Sequence, residues 1–218
     1  MIELSSDRRL SRAQFLRNTA KGSVALAVGG SVLASVEGVA FAAGGVSDNS
    51  TLQAAYAAES LAVHVYTAVL AGFNSFKHPS LMNIDYFQAA LANEKDHLAF
   101  LGSALGKKAP TGLTLTIPSS ALKSGQTVLN FGVALETAFV STYLGAVGTL
   151  RSADLKLVAA KVAANEATHF SFFDAAAGGH GVLPSLPSTV TVAQAAKVLT
   201  PYIPNLTARL TAAGFPSA

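Results

Sequence analysis

The chain has 218 residues, half of them hydrophobic and only 12% charged, enough to bury one good core and to form one domain. It has no cysteine, which excludes a disulfide, a thiolate metal site and an iron–sulfur centre. The formal charge is +3, but residues 1–42 carry five of the 15 basic and three of the 12 acidic side chains; the rest has a net charge of +1, no basic cluster beyond Lys107-Lys108, and no expected nucleic-acid partner.

In chain order, the first element is a targeting segment. Arg8, Arg9, Arg12, Arg17 and Lys21 form a basic region, residues 22–35 (GSVALAVGGSVLAS) are apolar and uncharged, and Ala40-Phe41-Ala42 offers a small-x-small cleavage site. SRAQFLR at 11–17 resembles the twin-arginine export motif, with Ala13 where the second arginine stands in that motif. The resemblance implies export of a folded protein to the periplasm, the envelope or beyond; general secretion or a retained anchor is the alternative. The apolar run is short for a membrane span, so membrane contact is expected only through this segment, if it stays uncleaved.

Residues 43–180 read as four helices. The first runs from about Ser50 to Ala71. His78-Pro79-Ser80 breaks the chain, Ser80 offers an N-cap, and a second helix reaches about Leu105. Residues 107–125 are rich in Pro, Gly, Thr and Ser, and LTLTI at 113–117 reads as extended chain. A third helix spans roughly Gln126 to Leu150; Ser152 caps a fourth, which stops at Gly178-Gly179. Residues 181–218 form an extension with one short helix near Val192–Leu199, broken by Pro201 and Pro204.

The connections between the four helices are short, long and short. A 19-residue connection reaches at most about 60 Å, and a helix of about 26 residues is about 39 Å long, so the long connection can run back along the bundle and leave the second and third helices parallel. The expected fold is all-α, an up-down four-helix bundle with one crossover, the ferritin-like arrangement.

An internal duplication marks the site. Residues 93–100 read NEKDHLAF and residues 165–172 read NEATHFSF, each an Asn-Glu-x-x-His followed by Phe. On the preceding helices, Glu59 is followed seven residues later by Tyr66, and Glu136 by Tyr143. Seven residues turn a helix by about 700°, which returns each Tyr to within about 20° of its Glu. Glu59 and Glu94 lie equally far from the turn near residues 76–77, as do Glu136 and Glu166 from residue 151, so all four sit halfway along the bundle. Beyond residue 42 the chain has no other Glu. Four carboxylates and two imidazoles in an apolar core would repel one another and lose hydration; two divalent cations compensate four negative charges.

Glu59, Glu94, His97, Glu136, Glu166 and His169 resemble the ligand set of the ferritin-like di-iron carboxylate family, a lone Glu on two helices and Glu-x-x-His on the other two. With the export segment, the chain is similar to bacterial ferritin-like proteins related to plant desiccation-related proteins. The resemblance implies two iron ions, or manganese, held by those six residues, with Tyr66 and Tyr143 behind them. Asn93 and Asn165 stand where several such families carry an Asp that accepts a hydrogen bond from a ligating His. It further implies chemistry with oxygen or peroxide, and a chain without Cys lacks the thiolate-bound iron that rubrerythrin-like members use to return electrons. Ferrous oxidation and peroxide disproportionation supply their own electrons; a non-enzymatic, metal-stabilised stress or envelope protein is the alternative. A storage cage is not expected, since the tail is Pro-broken and lacks acidic residues. His64 is expected to have a surface or packing role, His78 and His180 to be solvated in loops, and Phe100 and the FSFFD stretch to be core packing.

Overall fold

The computed structural model describes residues 47–215 and, further upstream, a two-residue antiparallel pair, β1 (Ala27–Val28) with β2 (Ser31–Val32), Ala27 opposite Val32. The chain divides into two units, Met1–Ala42 and Ala43–Ala218. The basic region, the twin-arginine-like motif and the small-x-small site lie outside the described residues.

The second unit is helical: α1 (Asp48–Gly72), α2 (Ile84–Leu105), α3 (Gly125–Thr149), α4 (Ala153–Ala177), α5 (Val192–Leu199) and α6 (Leu206–Ala212). Each long helix begins on a side chain that accepts a hydrogen bond from an otherwise unpaired N–H. Ser47 accepts from Ser50 N at 3.2 Å, Ser124 from Thr127 N at 3.2 Å and Ser152 from Leu155 N at 3.3 Å. For α2 the cap is Asn83, accepting from Asp85 N and Tyr86 N, and not Ser80. Pro79 spends that serine in a separate 3-10 turn, Pro79–Leu81, so the α-helix starts later. At the far end of α4, Gly178 takes φ 101°, the left-handed conformation that glycine adopts without steric cost.

Contacts between the turns settle the directions of the helices. Gly125 N donates to Lys77 O at 2.7 Å, tying the start of α3 to the α1–α2 turn. At the other end, Asp48 at the start of α1 accepts from Arg151 N (2.8 Å) and Ser152 N (3.0 Å) in the α3–α4 turn. Thus α1 and α3 are antiparallel, α2 and α3 are parallel, and residues 109–124 run the length of the bundle, as the connection lengths predict. LTLTI is extended and, among the described residues, pairs with no strand.

The tail holds two short helices where the sequence predicts one. A capping box, Thr191 with Gln194, starts α5; after Pro201 and Pro204 a further helix, α6, buries Leu206 and Leu210. Thr116 N donates to Tyr202 O (2.8 Å) and Thr114 N to Asn205 Oδ1 (2.8 Å), fastening tail to crossover. The core is built of buried Leu, Ala, Val and Phe, among them Leu61, Phe87, Leu129 and Phe139.

Candidate metal centre

One carboxylate comes from each long helix, and all four are sealed from solvent: Glu59, Glu94 and Glu166 are 0% exposed and Glu136 is 1% exposed. His97 Nδ1 lies 3.2 Å from Glu166, 3.6 Å from Glu94 and 3.7 Å from Glu59. His169 Nδ1 lies 2.9 Å from Glu94, 3.1 Å from Glu166 and 3.8 Å from Glu136. The geometry is that of a pseudo-twofold. Ligand-type atoms of Glu59, Glu94, His97 and Glu166 fall within 4.8 Å of one another, as do those of Glu94, Glu136, Glu166 and His169, so either group could hold a metal ion. Glu94 and Glu166 belong to both.

The six residues predicted from the sequence therefore meet at one place. Their hydrogen bonding is conspicuously incomplete. Among the described residues, the buried side-chain atoms without a partner include Glu59 Oε2, both oxygens of Glu94, His97 Nδ1, Glu136 Oε2 and Glu166 Oε1. Orphaned buried oxygens are costly, and here they all face one small volume. Oxygen donors with two imidazole nitrogens suit iron or manganese. The residues present fit such a pair of cations.

Without a cation, protons must do the compensating. Burial pushes the Glu59 and Glu136 carboxyls well above the usual range, and in each case the neighbouring Glu166 and Glu94 charges push further. Burial acts the same way on Glu94, but the neighbouring His169 and His97 imidazoles outweigh it and hold that carboxyl down at about 2. Burial also disfavours charged imidazoles, yet the surrounding carboxylates, Glu166 foremost, raise His97 to about 12 and His169 to about 9.

The tyrosines reach across the bundle. Each shares a helical face with its own Glu, but Tyr66 Oη donates to Glu136 Oε1 at 2.7 Å and Tyr143 Oη donates to Glu59 Oε1. Asn93 crosses too, its Nδ2 3.4 Å from Nε2 of His169, the histidine of the other motif, whereas Asn165 Oδ1 is buried without a partner. His64, His78 and His180 are exposed, as predicted. Phe170 and Phe173 are buried, but Phe100 is 41% exposed and is not core packing. Tyr86 is a neighbour that the duplication could not reveal, because its counterpart is Val158. Its ring stacks on Phe172 at 3.6 Å and meets His169 edge-on at 6.3 Å. Its one sequence signal is that it precedes Asn93 by seven residues.

Residues 47–179, more than half of the chain, match the family model described as Ferritin-like domain. The chain belongs to that family. The match starts at the cap of α1 and ends just past α4, so this ferritin-like domain is the bundle that carries the Glu/His cluster. A search of curated proteins returned no match.

Proposed function

We propose that this ferritin-like protein is exported and holds a dinuclear iron centre, with manganese as the alternative. Glu59 and His97 serve one ion, Glu136 and His169 the other, and Glu94 and Glu166 are shared. The observation that carries this reading is the pair of four-residue groups joined through Glu94 and Glu166, with orphaned carboxylate oxygens in both.

Such a centre supplies electron exchange with oxygen or peroxide, in ferrous oxidation or peroxide disproportionation. The chain's own residues prepare the site for it. Tyr66 and Tyr143 each fix one oxygen of an outer carboxylate by donating a hydrogen bond to it, leaving the second oxygen free to ligate. Ligation through Nδ1 requires each histidine to carry its proton on Nε2, and that N–H needs an acceptor. With its amide turned over, Asn93 presents Oδ1 to Nε2–H of His169. The apolar core excludes water, so the buried charges interact strongly. The basic N-terminus, the apolar run and Ala40-Phe41-Ala42 support export.

The test is anaerobic protein loaded with ferrous iron, mixed with oxygen or peroxide, and manganese-loaded protein assayed for oxygen release from peroxide. Rates above those of free metal in either assay are expected. Rates equal to free metal in both would assign the centre a stabilising role in a stress or envelope protein.

A further inference from the structure

The two halves of the duplication carry matching ligands but different walls. Aligning the Glu-x-x-His motifs pairs Leu101 with Phe173, Ala159 with Phe87, Val158 with Tyr86 and Phe100 with Phe172; aligning the lone Glu pairs Ala55 with Gly132. On the His169 side the larger members fill the space. Phe87 and Phe173 meet edge to face at 5.5 Å, and both pack against Tyr66 at 5.9 Å. Gly132 makes room for them, since a Cβ there would lie 2.7 Å from the Phe173 ring. The space left on that side is about 10 Å³.

On the His97 side the smaller members leave a cavity of about 160 Å³. It lies among α1, α2, α3 and α4, walled by Leu52, Leu101, Leu150, Val158, Ala159 and Val162, with His97 and Tyr143 also on its lining. Phe100 stands on the same lining and is 41% exposed, whereas its counterpart Phe172 is stacked on Tyr86. With Val158 in place of that tyrosine, Phe100 has no ring to stack on. The histidines differ accordingly: the His97 side chain is 14% exposed, His169 3%.

We infer that this cavity is a binding pocket for a neutral apolar molecule of about the size of a benzene ring, seated against His97 and Tyr143 at one half of the cluster only. The cavity opens to solvent past the exposed Phe100 and Asp96, but its interior wall is apolar carbon; an apolar cavity of similar size, about 150 Å³, takes up benzene or xenon because water there would lack the two to four polar partners it needs. Asp96, at the exposed rim, would repel an anion, and a cation seated inside would meet aliphatic carbon on most sides and lose its hydration largely uncompensated. That the bound molecule lies beside a metal rests on the reading given above; the pocket itself does not.

Full-length protein loaded with manganese, titrated with fluorobenzene and followed by fluorine NMR, tests this. Saturable binding at one site per chain is expected, with the bound resonance broadened by the paramagnetic ion. Ala159→Phe, which restores the aromatic residue of the other half, should weaken binding by about tenfold or more, and the smaller Ala159→Leu should weaken it in the same direction. Neither should change the metal content. No saturable binding by folded wild-type protein, or binding that both substitutions leave unchanged, would overturn the pocket. Saturable binding in a protein that retains no manganese would sustain the pocket and refute the metal centre instead.

Discussion

The His97 and His169 sides of the bundle show what a duplication keeps and what it lets go. Both retain a lone Glu, a Glu-x-x-His and a Tyr that reaches across to the opposite Glu. Buried carboxylates tolerate no partial solution, so ligand positions are fixed together. Apolar packing accepts many solutions of similar volume, and small residues that leave a cavity lose contacts without orphaning a charge. One side became an aromatic wall, the other a pocket.

The comparison breaks most sharply through the shared ligands. Glu94→Ala or Glu166→Ala removes a donor from both halves, and metal content should fall from about two ions per chain to almost none. Glu59→Ala or Glu136→Ala touches one half and should leave about one ion. Metal analysis of the four purified variants decides it, and equal losses in all four would show that the halves are not separable.

Packing supplies the next contrast. Phe87→Ala empties a filled wall and should cost about 3–5 kcal/mol by denaturant unfolding. Leu101→Ala, at the edge of existing space, should fall near the lower end of the about 2–5 kcal/mol typical of such truncations. Equal costs would mean that the His97 side collapses around its cavity in solution.

Removing the crossing hydroxyls should cost less again. Tyr66→Phe and Tyr143→Phe each take a donor from a buried carboxyl, a loss of about 1–3 kcal/mol. The two values should agree closely, since the pseudo-twofold preserves both bonds. A large difference would extend the asymmetry from the walls to the site.

A last contrast sets the metal-free protein against the loaded one across pH. His97 and His169 have folded pKa values raised to about 12 and about 9 from 6.5, so the stability they contribute is complete below about pH 6.5 and is lost as pH rises through 9 and towards 12. The raised Glu59 and Glu136 also favour the acid side, their contribution declining above the ordinary 4.5. Glu94, lowered to about 2, acts oppositely and is lost only as pH falls from 4.5 towards 2. Metal-free protein should therefore melt lower at pH 8.5 than at pH 6, while metal, which needs the unprotonated ligands, should raise the melting temperature more at pH 8.5. Thermal melts with and without metal at the two pH values measure this.

The six clustered residues were legible because ionisable groups stand out on Ala- and Phe-rich helices and helical spacing fixes their face. The partner of each tyrosine was not, since periodicity gives a face but not the helix opposite it. Ser80 and Asn83 are both competent caps, and only the turn formed at Pro79 chooses between them. The helix at Leu206 was hidden because Pro204 reads as a break, although Pro just ahead of a helix breaks nothing. The export segment rests on sequence pattern alone. The pocket is a difference in volume among side chains from four helices; the substitutions behind it, Phe to Ala and Phe to Leu, are visible once the halves are aligned, but the space is not.

Four carboxylates and two imidazoles around one small volume should hold two cations, and counting the ions decides whether they do. Elemental analysis of purified protein, after reconstitution with ferrous iron or manganese and removal of loosely bound metal, should find about two ions per chain. Intact, folded protein that retains no more than trace metal under those conditions would contradict it.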